Sequence, residues 1–118
     1  MTRHLPNTVN DEFMTKVLNR SFGDFFKERF DRDIEVTTIS EDFSVLATAV
    51  GRPYVFWFFG SVEEGVWDRA VEEERQVEVP ANHTRGFKPV VQPTLRTGVE
   101  ALVVAALSFF DERGGSRL

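Results

Sequence analysis

The sequence has 118 residues, the size of one ordinary domain, and 42% of it is apolar, with 12 Phe and 2 Trp to fill a core. Lys and Arg total 14 against 19 Asp and Glu, a net charge of −5, which argues against nucleic acid and anionic membrane as partners. Cys is absent, which excludes disulfides, thiolate zinc sites and thiol nucleophiles and suits a reducing cytoplasm. The apolar runs YVFWFF and ALVVAAL fall far short of the roughly 18 residues a spanning helix needs, so a soluble protein is expected.

The first element follows NDEF. Phe13, Met14, Val17, Leu18, Phe22, Phe25, Phe26 and Phe30 recur at three- and four-residue steps, which predicts a helix over about 10–29 with one buried stripe. Asn10 is expected to cap it, Asp11 and Glu12 face its positive end, and Lys27, Arg29 and Arg32 suit the other. Gly23 costs this helix about 1 kcal/mol relative to Ala and makes a bend or an early stop conceivable there.

IEVTTI at 34–39 is short and β-branched, as strands are. SEDFSVLATAV fits two patterns. Alternation would pair Phe43 with Val45 and Ala47, while a helix would align Phe43, Leu46, Ala47 and Val50; Ser40 as a cap, with Glu41 and Asp42 behind it, favours the helix, ended by Gly51. YVFWFF at 54–59 is apolar at every position, the pattern of a strand covered on both faces.

After Gly60, SVEEGVWDRAVEEE offers a capping box at Ser61 and Glu64, with Val62, Val66, Trp67, Ala70 and Val71 at helical spacing. QVEV at 76–79 reads as a short strand, and residues 80–93 form a proline-bearing loop. Thr94 then caps a helix whose apolar face is Leu95, Val99, Leu102, Val103, Ala106, Leu107 and Phe110, stopped by Gly114 and Gly115.

Strands alternating with helices give the class α/β: a partial three-layer sheet with helices on both faces and long N- and C-terminal helices. Ligands in such sheets collect beyond the carboxyl ends of the strands. Gly60-Ser61 and Asn82-His83 fall at two such ends, which singles out His83, since the only other histidine, His4, has no evident partner.

TVND at 8–11, SEDFS at 40–44, GRPYVFWFFG at 51–60, NHTRGFKPVVQPTL at 82–95 and TGVEALVVAAL at 97–107 come in an order and spacing that resemble a known family. It is the C-terminal stretch of the catalytic domain of di-metal amidohydrolases of the aminoacylase/carboxypeptidase type, among them hippurate hydrolases, N-acyl-amino-acid amidohydrolases and hydrolases of indole-acetyl amino acids. The resemblance spans nearly all of residues 1–118 and implies one C-terminal part of that domain.

In that family an Asn-His-Ser-Pro-x-Phe pattern supplies a metal-binding histidine, so the resemblance implies His83 as a ligand to zinc or manganese, preceded by Asn82. Thr84, Arg85 and Gly86 depart from the pattern, which has Ser, Pro and often a bulkier residue. The Ser-Glu-Asp-Phe motif implies that Glu41 and Asp42 orient ligands or substrate, and Gly60 matches a glycine bordering the substrate cleft. The family's remaining metal ligands, its general-base glutamate and its lid domain belong to segments that this chain lacks. The complete enzymes hydrolyse amides of N-acyl amino acids or small peptides with a metal-activated water. The complete enzyme would hold zinc or manganese, and this chain alone is expected to be inactive, completed by the missing N-terminal portion or by self-association.

Plainer roles stand beside these. Most loop histidines are solvated or hydrogen-bonded, Glu41 and Asp42 suffice as helix-start acids, Tyr54, Phe56, Trp57 and Phe58 suit a core, and Glu72 to Glu74 a solvated face. The alternative function is a non-catalytic scaffold or interaction protein that retains the subdomain.

Overall fold

The computed structural model of the protein describes residues 6–35 and 41–110. They hold the α-helices α1 (Glu12–Phe26), α2 (Phe43–Thr48), α3 (Glu64–Glu72) and α4 (Thr94–Phe110), with 3-10 turns at Lys27–Arg29 and Gln76–Glu78. No β-strand occurs among the described residues, so the partial three-layer α/β sheet is overturned: these residues are helical.

The reason lies in backbone partners. A strand exists only where a neighbour takes its N–H and C=O groups. Along YVFWFF, the Tyr54 carbonyl accepts instead from Asp11 N (2.9 Å), while the Asn10 carboxamide donates to the Phe56 carbonyl (3.0 Å) and accepts from Phe56 N (2.8 Å). QVEV also fails to extend. It winds into the 3-10 turn, beside which the Arg75 guanidinium bridges Glu78 and Glu73. Of IEVTTI, Ile34 and Glu35 are exposed without regular structure, and the rest lies outside the described residues.

The chain divides into two units: one takes the described residues up to Trp57 and from Ala101 on, the other runs from Phe58 to Glu100. In the first, Leu18, Phe22 and Phe26 of α1 repeat at four-residue steps and are buried with Ala101 and Ala105 of α4. The Phe22 ring meets Trp57, Phe26 and Phe30 edge-on at centroid distances of 5.4, 5.7 and 5.7 Å, an arrangement aromatic rings favour. The hydroxyls of Ser21 and Ser108 hydrogen-bond at 2.7 Å and tie the same two helices.

Helix α1 runs three residues short of the expected end, and its cap is Asp11, whose carboxylate accepts from Met14 N at 2.9 Å. Asn10, the expected cap, is spent on Phe56. Gly23 does not stop the helix; Lys27 ends it, with φ at 55°. Helix α2 is shorter than its motif, and Gly51 follows it at φ 63°, a left-handed conformation for which glycine is suited. Ser40 lies outside the described residues, as do Gly114 and Gly115.

The second unit has far less interior, with Ala70 its buried apolar residue among those described. Helix α3 is capped by Glu63, whose carboxylate accepts from Gly65 N (3.0 Å) and Val66 N (2.9 Å), so the expected Ser61/Glu64 box does not form. Helix α4 begins at Thr94, but the Thr94 hydroxyl is buried without a partner and caps nothing.

Candidate functional site

His83 lies on the proline-bearing loop, in a turn built from its neighbours. The Ala81 carbonyl accepts from Thr84 N (3.2 Å) and from the Thr84 hydroxyl (2.7 Å), and Phe87 N donates to the Thr84 carbonyl (3.1 Å). Val90 N donates to the Ser61 carbonyl at 2.9 Å, which fastens the loop to the segment after Gly60. His83 itself is exposed and sits at φ 67°, a conformation that non-glycine residues adopt uncommonly and at an energetic cost.

Two departures from the family pattern have local explanations here. Thr84 keeps a hydroxyl, and that hydroxyl closes the turn. Gly86 approaches the Pro80 ring so closely that a Cβ would lie 3.2 Å from its Cγ, so a bulkier residue would have to push the ring aside. Arg85 is exposed, and nothing in the structure explains it.

Glu41 and Asp42 precede α2. The Glu41 carboxylate accepts from Asp42 N (2.9 Å) and Phe43 N (3.0 Å), satisfying donors that open the helix, while the Asp42 side chain makes no capping bond and is exposed. They belong to the first unit, and Gly60, Asn82 and His83 to the second. Gly60 is exposed, with open space where a Cβ would point. With no strand among the described residues, Gly60 and His83 do not sit at strand ends.

A metal needs several converging donors. Among the described residues no group of three or more His, Asp or Glu side chains could hold one. His83 therefore offers a single exposed imidazole, and the described residues do not make a di-metal centre.

One functional candidate escaped the sequence reading. Lys16, Arg20, Gly23 and Lys27 recur at four-, three- and four-residue steps, a helical stripe, and they line a cleft of about 580 Å³ in the first unit. The same period that located the apolar face would have located this one.

Among the described residues, no helix is long and apolar enough to cross a membrane. No protein-family model matches the sequence, and no solved structure matches the fold.

Proposed function

We propose that this chain is the C-terminal portion of a metal-dependent amidohydrolase acting on N-acyl amino acids or small peptides, inactive until the remaining portion joins it. The observation that carries this is His83: an exposed imidazole held at a costly backbone angle, in a braced turn, within the NHTRGF motif. Strained conformations concentrate where function needs them. The ordered run of five motifs supports the same reading. The described residues supply one imidazole, that of His83, and no group of three or more metal-ligating side chains, so the general base and the other ligands are assigned to segments outside them, and Glu41, Asp42, Asn82 and Gly60 act only as orienting groups.

The test mixes this chain with the polypeptide encoded immediately upstream, adds manganese or zinc, and follows hydrolysis of N-benzoylglycine and other N-acyl amino acids. Activity is expected in the mixture alone and is lost with His83→Ala. Absence of hydrolysis in every mixture overturns the proposal.

A second reading has its own observation. Helix α4 exposes Leu95, Val99, Leu102, Leu107 and Phe110, apolar residues at helical spacing, as an interaction protein would. Calorimetric titration with zinc separates the two: binding that disappears in His83→Ala favours the enzyme portion, whereas a specific protein partner captured equally by wild type and His83→Ala favours the scaffold.

A further inference from the structure

We infer that the cleft along α1 and its following turn is a binding site for an organic phosphomonoester, independent of the hydrolase reading. The cleft lies wholly within the first unit. Its lining carries Lys16, Arg20, Lys27 and Arg32 against one carboxylate, Asp24. Lys16 is already engaged, since its ammonium holds Glu12 at 2.7 Å, and that hydrogen bond raises the Lys16 pKa and lowers that of Glu12. Three cations then face one anion, a surplus of two positive charges on a chain whose net charge is −5. A phosphomonoester carries about −1.5 to −2 near neutral pH and matches that surplus, where a monocarboxylate would not.

The backbone explains why these charges meet. Lys27 turns out of α1 at φ 55°, and the reversal folds the next residues back along the helix. Arg32 then reaches Gly23, its guanidinium 3.4 Å from where a Cβ would stand. The planar guanidinium groups of Arg20 and Arg32 can each donate two parallel hydrogen bonds to phosphate oxygens. Phe30, packed edge-on against Phe22, adds an apolar wall. A cleft of about 580 Å³ falls in the range of small-molecule sites and leaves room for an organic group beside the phosphate. Asn19 adds a carboxamide with both donor and acceptor.

The test is calorimetric titration of the full chain at low ionic strength with phenyl phosphate, inorganic phosphate and benzoate. Phenyl phosphate is expected to saturate one site per chain with Kd near or below ~1 mM, inorganic phosphate to bind several-fold more weakly, and benzoate not to saturate. The double variant Arg20→Gln/Arg32→Gln should weaken phenyl phosphate at least about tenfold, and Arg69→Gln, outside the cleft, should leave it unchanged. Circular dichroism checks that both variants keep the helices. Failure to saturate, or equal weakening by Arg69→Gln, overturns the site. Equal affinity for phenyl and inorganic phosphate overturns the ester.

Discussion

The two units of this chain are stabilised by different means. The first buries Leu18, Phe22 and Phe26 around two alanines and locks Phe22 among three aromatic rings. The second buries Ala70 and otherwise relies on local devices: a carboxylate cap, a guanidinium between two glutamates and a braced turn. Burial is worth kilocalories per side chain, whereas caps and exposed ion pairs contribute about one or less. The second unit should therefore open first, and it is better suited to displaying groups than to enclosing them.

The contrast can be broken most directly at Phe22. Phe22→Ala should cost about 3–5 kcal/mol and abolish cooperative unfolding of the first unit in urea, while Val77→Ala in the second, at a residue 95% exposed, should stay within about 0.5 kcal/mol. Equal destabilisation by the two variants would show that both units are held by the same means. Caps come next. Asp11→Ala should cost about 1 kcal/mol by urea unfolding, and Glu63→Ala should cost a similar amount that appears chiefly as faster amide exchange in α3.

A smaller effect has the opposite sign. Glu74 follows α3 at φ 55°, where glycine is the favoured residue, so Glu74→Gly should raise stability by roughly 0.5 kcal/mol, measured as a higher urea midpoint. The smallest is electrostatic. The hydrogen bond from Lys16 holds the Glu12 carboxyl below its ordinary pKa, so its stabilisation is present above the unfolded-state value and is lost as pH falls through the folded-state one. Both groups are exposed, so Glu12→Gln should shift the thermal midpoint only slightly, and not at all in 1 M salt, where the screening length is ~3 Å.

What could be read directly was helical period. The stripe of Leu18, Phe22 and Phe26 was legible because a helix closes its own hydrogen bonds and its apolar spacing points to a face, although Phe13 and Phe25, expected on the same stripe, are exposed. Helix α4 was legible as a helix but not in its buried face: Leu95, Val99, Leu102, Val103, Ala106, Leu107 and Phe110, the expected apolar face, are all exposed. Nothing local says that Ala101 and Ala105 would be buried while the larger Leu102 and Leu107 stayed exposed. Caps were misassigned by one or two positions, because Asn10 and Asp11 are both good caps and only the distant Phe56 decides which is free to serve.

For the candidate site, the sequence singled out His83 through its motif. The turn that strains it, the Thr84 hydroxyl that closes the turn and the separation of Glu41 and Asp42 into another unit all needed coordinates.

By itself, then, the sequence determined where helices form and that no thiol chemistry occurs, because both depend on residue identity and on bonds within a few positions. Only the tertiary structure decided whether YVFWFF would be a strand and which basic residues would share a cleft. Both depend on groups distant in sequence or turned by one backbone angle, and no short window of sequence contains that information.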